Sequence, residues 1–553
     1  MITLQGLFVV FITWVFVLPI SWLLSKYLSE VFTGSKSKLD AFFLPIENFI
    51  YRIIGVNPSQ GMGWKEYFKA LIYLNSIEAV IGFILLVFQG SLPLNPMHYP
   101  SLSWSLSFNT ALSFASNTDL QHYAGETSLS YLSQMMVIQF LQFASAATGL
   151  SVGIAMIRGF SGMTKNLGNF YFDYIRSLTR VLIPLSLIST VILVWLGVPQ
   201  SLNGYQLVNG LQPGIREIIY RGPIASLVSI MQLGTNGGGY FGINSAYPLQ
   251  NPSQVSDLFE IALMMLIPTS LLFLFGKVIG NRKEARTLII AAYAIYAIDI
   301  LIAFMPSIQS RGTEVRLGNA ASVFWTVTTT SFTTGSLNAS LSSFSPVVIL
   351  SALNGMLVQA APGGIGVGIM YLLMYVIVTI FLVGLMAGRT PEYLGMKIEG
   401  RDIKNAVAAF ITHPLLILVP VVLAFGIGAE RAIGIIPSAA GFTKIFYEYV
   451  SAAANNGSDF LGSSGNTVFF NVSTGITMWL GRFIPMIFML SLADGISKRK
   501  RSPVQGLRTD SISFPIVLVV SILILTVLTF FPFLVIGPVL QFLESHFLVV
   551  NYI

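Results

Sequence analysis

The chain contains no cysteine among its 553 residues, which excludes a disulfide framework, a thiolate metal site and a cysteine nucleophile. Its four histidines are scattered without metal-ligand spacing, and no His-Glu-x-x-His or paired Asp-rich motif lies on an apolar stretch, which argues against an intramembrane enzyme. No Gly-x-x-x-x-Gly-Lys-Ser/Thr loop is present to cradle nucleotide phosphates. Charge is scarce as well. Only 10% of residues are charged against 54% hydrophobic, and the mean hydropathy is +0.76. Such a composition describes an all-α polytopic membrane protein surrounded by lipids, with nucleic acid excluded as a partner.

Apolar stretches of spanning length predict about ten transmembrane helices, near 4–24, 68–90, 131–157, 178–198, 256–279, 287–306, 346–388, 404–426, 473–494 and 513–540. The first is not a signal peptide, because its first basic residue, Lys26, follows the apolar run instead of preceding it. Threading the spans from an outside N-terminus places 23 of the 30 Lys and Arg in cytoplasmic segments, Lys36 and Lys38 among them. Six fall outside: Arg216, Arg221, Arg311, Arg316, Arg431 and Lys444. Arg482 is left within a span. The asymmetry predicts a multi-pass cell-membrane protein with both termini outside. Residues 41–54 suit a short amphipathic helix on the membrane surface.

The long outside segments share one feature. Leu233 to Phe241 carries four glycines between two apolar spans, and non-helical backbone at membrane depth is tolerated only where protein buries it or water lines it. A re-entrant loop there implies a pore or binding site. Three further segments read in parallel with it, around Ser113–Asp119, Thr329–Gly335 and Ala452–Ser458. They recur roughly every 100–120 residues, each behind a short, moderately apolar helix. Four pseudo-repeats of span, pore half-helix, loop and span follow, with each half-helix aiming its carbonyl end at a cation path. The predicted organisation is 1–67 for an N-terminal span and cytoplasmic segment, then pore repeats at 68–157, 178–279, 287–388 and 404–494, then a C-terminal span at 513–540. The competing reading is four ordinary Gly/Asn turns outside the membrane.

At these residues the chain resembles the A-subunit family of the bacterial and archaeal Kdp potassium-transporting P-type ATPases. The resemblance covers nearly the whole chain and extends to Phe108-Asn109-Thr110-Ala111, Gln121-His122-Tyr123, Gly388 to Gly395 and Gly481-Arg482-Phe483-Ile484-Pro485. It implies a fourfold pseudosymmetric fold like that of potassium channels. The potassium-binding filter it implies is formed by Asn117, Thr118 and Asp119, Thr235, Asn236 and Gly237, Thr333, Thr334 and Gly335, and Asn455, Asn456 and Gly457, with Gln121 adjacent. Potassium is then the substrate, held as a metal ion by backbone carbonyls of the filter, and no other cofactor is expected. Two positions depart from the family pattern: Asp119, where an asparagine is expected, and Gln359, where a relative carries a carboxylate. The chain also lacks the Asp-Lys-Thr-Gly motif that P-type pumps phosphorylate. The resemblance therefore implies a non-catalytic subunit working with the catalytic subunit KdpB, and with KdpC and KdpF. A stand-alone Trk/Ktr-type potassium transporter, gated by a soluble nucleotide-binding ring, is the alternative. Cytoplasmic segments 389–404 and 498–508 are candidate docking sites for the catalytic subunit, or simply positive-inside anchors.

Pro346 to Gly388 has no Lys, Arg, Asp or Glu and is roughly twice the length of one span, so it must break. Gly363, Gly364, Gly366 and Gly368 mark the break. Two readings stand: an intramembrane gate beneath the filter, or a plain hairpin tip. Arg482 also has two readings, since an intramembrane charge is costly unless used. It holds loop carbonyls or controls the ion path, or it pairs with Glu78 or Asp299. Asp257 and Glu260 are expected to form a solvated, cation-attracting mouth. Gly237 is expected to adopt a left-handed backbone that only glycine accepts readily.

Overall fold

The computed structural model describes residues 2–33, 39–162, 164–210, 212, 214–305, 313–501 and 506–545. The expectations for Lys36, Lys38 and Arg311 lie outside the described residues. Helix dominates. The strands among the described residues form two small antiparallel hairpins, Gln206–Asn209 with Arg216–Ile219 and Glu392–Tyr393 with Met396–Lys397.

Ten helices among the described residues are long and apolar enough to cross a membrane: Gly6–Thr33, Trp64–Val87, Tyr131–Ser161, Phe170–Trp195, Gln254–Ile279, Arg282–Ala303, Val367–Met386, Gly400–Gly426, Val468–Ser497 and Phe514–Leu543. Each expected span falls on one of these, and the long uncharged stretch is divided as anticipated, into Pro346–Val358 and Val367–Met386. A surface helix occupies Asp40–Ile54, with Phe42, Phe49 and Ile53 exposed along one side.

Burial separates the spans into two groups. Of the most apolar stretch of Tyr131–Ser161, 89% is buried, against 72% for both Gln254–Ile279 and Val367–Met386 and 67% for Val468–Ser497. These four are the spans that follow the four loops. The spans that precede the loops are less enclosed, from 33% for Trp64–Val87 to 56% for Arg282–Ala303. With lipid tails as apolar as leucine, burial inside the bundle reflects close packing, and small residues permit it. The inner helix Tyr131–Ser161 illustrates this. Its run Ala144-Ser145-Ala146-Ala147-Thr148-Gly149 is buried throughout, and a Cβ at Gly149 would lie 2.5 Å from the Ile365 carbonyl oxygen.

Between each outer and inner span lies a shorter helix: Trp104–Ala115, Ile224–Leu233, Asn319–Ser331 and Ala439–Ala453. The first and last are started by serine caps, Ser103 accepting from the Leu106 N–H and Ser438 from that of Gly441, which satisfies donors otherwise orphaned at a helix start. All four end at the loops singled out from the sequence.

Candidate ion filter and the loop beneath it

The four loops leave their helices in the same way. The second residue of each triplet, Thr118, Asn236, Thr334 and Asn456, donates its N–H to the carbonyl five positions earlier, at 3.0, 2.8, 2.7 and 2.9 Å. The residue before it is left-handed in every loop: Asn117, Thr235, Thr333 and Asn455 have φ of 60°, 49°, 44° and 53°. Four non-glycine residues in this sparsely allowed region require surroundings that hold them there.

Side chains supply that support by tying each loop to its neighbours in a closed circuit. Asn117 Nδ2 donates to the Thr235 carbonyl at 2.7 Å, joining the first loop to the second. Ser336 Oγ donates to Gln232 Oε1 at 3.0 Å, joining the third to the helix before the second. Asn456 Nδ2 reaches the Thr329 carbonyl at 3.0 Å, linking fourth and third. Asn455 Nδ2 reaches Thr118 Oγ1 at 2.9 Å and closes the circuit to the first. Gln121 reinforces the first link. Its amide both donates to the Gly239 carbonyl at 3.1 Å and accepts the Gly239 N–H at 2.9 Å, as a backbone peptide group would.

At the third positions the loops crowd one another. A Cβ on Gly237 would sit 2.4 Å from the Thr118 oxygen and 2.6 Å from the Asn456 oxygen. Those on Gly335 and Gly457 would meet the same two oxygens at 1.8 and 2.0 Å, respectively from Asn456 and Thr118. Gly335 and Gly457 are left-handed, with φ of 93° and 99°, whereas Gly237 is not. The expectation for Gly237 is therefore corrected: glycine is needed there because facing carbonyls leave no space for a side chain. In the first loop Asp119 takes the corresponding position with φ of 59°. Its Oδ2 accepts from Gln142 Nε2 at 3.1 Å, while Oδ1 has no hydrogen-bond partner. The same Gln142 amide donates to the Gly238 carbonyl at 2.8 Å.

The third and fourth loops are braced by aromatics from two turns back in their helices. Trp325 Nε1 donates to the Ser336 carbonyl at 2.7 Å, and the Tyr447 and Ser458 hydroxyls lie 2.8 Å apart, over the same sequence spacing. Asp257 and Glu260 act in this scaffold too. Both are buried, Asp257 accepting from Asn251 and Asn338 at 2.7 and 2.9 Å, Glu260 from Ser245 and Gln232 at 2.7 and 2.8 Å. The expected solvated mouth at these two residues is thus incorrect. Asn and Gln donors packed around them replace water.

An acidic cavity, a candidate mouth, lies elsewhere. A cavity of about 370 Å³ opens above the triplets, with Asp119, Glu314 and Asp459 as its carboxylates and Gln121 and Ser458 in its wall. Beside it, buried His122 is held between Asn471 Oδ1 at 2.8 Å from Nδ1 and Glu448 Oε1 at 3.1 Å from Nε2. Burial opposes the imidazolium, but the Glu448 carboxylate outweighs it and lifts His122 above the usual histidine value.

On the other side of the triplets sits the glycine break. The Gly363 N–H donates to the Ser331 carbonyl at 2.8 Å and the Ile365 N–H to Thr235 Oγ1 at 3.0 Å. A Cβ at Gly364 would stand 2.3 Å from Thr333 Oγ1. Gly363 and Gly366 are left-handed, Gly366 against the Gly149 carbonyl, and Gly368 donates to Gly364 at 2.9 Å. The segment is buried throughout and packed directly against the second and third loops. Gln359, at its start, hydrogen-bonds His413, with 2.6 Å from Nε2 to Nδ1.

Arg482 is buried in Val468–Ser497 and donates to the Ser145 carbonyl at 3.1 Å. It pairs with no carboxylate among the described residues. Glu78 is bonded to the Tyr174 hydroxyl at 2.7 Å and Asp299 to Asn354 at 2.7 Å, so the pairing proposed for either acid does not form. At the far end of the bundle, some of the basic residues in 389–404 and 498–508 are used internally. Arg499 bonds Asp402 at 2.5 Å and Glu399 at 3.1 Å.

Sequence reasoning missed Gln142, Gln232, Asn338 and the His122–Glu448 pair. Gln142 carried a usable signal, an amide inside an apolar span. Gln232 carried the same signal, in the apolar helix Ile224–Leu233, whereas nothing in the sequence around Asn338, His122 and Glu448 distinguishes a brace from a solvated side chain.

The sequence profile of the potassium-transporting ATPase A subunit family, KdpA, matches residues 10–543. A potassium-transporting ATPase potassium-binding subunit from Caldanaerobacter subterraneus subsp. tengcongensis is 42% identical over 542 residues, covering 94% of this chain and 96% of the relative. Its counterpart from Alicyclobacillus acidocaldarius is 42% identical over 555 residues, covering 97% and 99%. A family match over nearly the whole length, on a chain whose described residues include ten candidate spans and four cross-linked loops, makes this multi-pass membrane protein a member of the KdpA family.

Proposed function

We propose that this chain is the potassium-binding and translocating subunit of an ATP-driven potassium uptake complex. Potassium enters from the outside, through the acidic mouth, and is selected by backbone carbonyls of the four triplets. The observation that carries this reading is the closed circuit of side-chain links around the loops. It fixes carbonyl positions before an ion arrives, and a filter that replaces a hydration shell depends on such carbonyls. Carboxylates at the mouth favour cations by their field; burial raises the pKa of Asp119 and Asp459 and opposes their charge, which an arriving cation would stabilise. The outside location of mouth and termini is inferred from the distribution of Lys and Arg.

The segment 363–368 acts in this reading as the gate. It lies directly under the second and third triplets and is tied to both. Arg482, on the same level as Ser145, adds a fixed positive charge beneath the filter that an ion must pass or be halted by. The chain contributes no nucleotide chemistry, so hydrolysis belongs to a separate P-type catalytic subunit, KdpB, with KdpC and KdpF as further partners. The near full-length family match does not favour the stand-alone Trk/Ktr-type alternative.

The test is to purify the complex from its native membrane under mild detergent and measure ATP hydrolysis with and without potassium. Co-purification of a P-type ATPase chain and stimulation by potassium are expected. A chain that purifies with a soluble nucleotide-binding ring and moves potassium without hydrolysis would overturn the reading.

A further inference from the structure

At the end of the bundle opposite the mouth, a cavity of about 420 Å³ opens between the end of the first span, the end of Gln254–Ile279 and the start of Arg282–Ala303. Its charged rim consists of four cations, Lys26, Lys277, Arg282 and Arg286, with Ser25 as a further polar residue, and no carboxylate lines it. All four are exposed, and none makes an ion pair among the described residues. Lys277 reaches only the Lys26 carbonyl, at 3.4 Å, and the Lys26 ammonium lies 3.4 Å from the centre of the Trp22 ring. The acidic residue nearest in sequence to the two arginines, Glu284, is turned into the bundle, where it accepts from Thr509 at 2.5 Å and Tyr393 at 3.5 Å. Glu30, one turn beyond Lys26, is outside the lining.

Below the rim the wall becomes apolar, with Trp22 and Phe273 facing the space. Trp22 is 47% exposed on a helix that borders lipid. Four clustered like charges repel one another unless an anion neutralises them. A basic rim over an apolar wall at a helix end suits a ligand with an anionic head and a hydrocarbon tail. A soluble anion would leave the apolar wall unused. An acidic polypeptide would need to reach down beside Trp22 and Phe273 within the hydrocarbon layer.

We propose that this cavity is a binding site for an anionic phospholipid, its phosphate between Lys277 and the two arginines and an acyl chain along Trp22 and Phe273. This goes beyond the filter and does not depend on it.

The test places the intact complex in vesicles of phosphatidylcholine doped with brominated phosphatidylglycerol or, separately, brominated phosphatidylcholine. Bromine quenches tryptophan on contact, and the difference between the native chain and Trp22→Phe isolates the Trp22 signal. Brominated phosphatidylglycerol should quench Trp22 at several-fold lower mole fraction than brominated phosphatidylcholine. Lys277→Gln with Arg282→Gln and Arg286→Gln should remove that preference, so that the two lipids quench Trp22 at the same mole fraction. Elution of the assembled complex at its normal size shows that the variant is folded. Equal quenching by the two lipids would overturn the proposal. So would quenching by neither, which would mean that a polypeptide covers Trp22.

Discussion

Thr235 accepts a hydrogen bond at Oγ1 from the backbone N–H of Ile365, 3.0 Å away, so one threonine belongs at once to the second triplet and to the contact that holds the glycine segment beneath it. Its main chain shapes the proposed filter and its hydroxyl secures the proposed gate. On the side of the second triplet, the two parts are coupled through this side chain.

That coupling can be cut without changing side-chain shape. Thr235→Val removes the acceptor and leaves the Ile365 N–H buried without a partner, a cost of about 1–3 kcal/mol. The expected result is passive potassium leak through the complex in reconstituted vesicles, with ion preference retained because the main-chain carbonyls are untouched. Vesicles as tight as those with the native complex would remove the segment from the role of gate.

Arg482 should act through charge. It touches the Ser145 carbonyl, has no carboxylate partner among the described residues, and its Nε is without a hydrogen-bond partner. Arg482→Gln keeps a donor of similar reach and discards the charge. Assembly should survive, while the potassium concentration for half-maximal ATP hydrolysis shifts by about threefold or more, equivalent to somewhat under 1 kcal/mol. Arg482→Lys should restore most of the native value. If Gln and Lys behave alike, the residue is a structural donor only.

The spans were legible in the sequence because a twenty-residue apolar run has few other uses in a folded protein, and a break was legible at 362–368, because no single helix accommodates 346–388; the structure places it at 359–366. The four loops were legible through their spacing. Their mutual links were not. Gln121 was set beside the filter by resemblance alone, and only the fold brings its amide to Gly239. Asp257 and Glu260 misled for a related reason: an acid at the end of a span looks solvated unless the Asn and Gln donors that enclose it are known to be there, and those come from other elements. Asp119 is the most instructive case. Its carboxylate is shared between a brace, Gln142, and the mouth cavity, a division that no spacing encodes.

The His122–Glu448 contact joins the chain just after the first triplet to the helix that carries the fourth. Its histidine titrates above the usual value, so its contribution is complete below pH of about 6.5 and is lost as pH rises through the raised pKa. The charged groups facing it are Glu448 and Asp459. Thermal stability of the purified complex should therefore decline above pH of about 6.5, and His122→Gln should flatten that decline. A native and a variant complex with parallel stability profiles from pH 6 to pH 9 would assign the slope to other groups.

The central claim is that carbonyls of the four triplets select potassium, and Gly237 gives the most direct access to it. Gly237→Ala introduces one carbon where the Thr118 and Asn456 oxygens would lie 2.4 and 2.6 Å away, with no charge added and no left-handed backbone to strain. The strands must move apart to admit it, which disturbs the fixed carbonyl spacing on which discrimination depends. The measurement is ATP hydrolysis by the assembled complex, titrated in turn with potassium, rubidium and sodium. The account predicts that half-saturation by potassium rises at least about tenfold, a loss of about 1.4 kcal/mol, and that the preference for potassium over rubidium and sodium narrows. Native half-saturation with unchanged ion preference would contradict it.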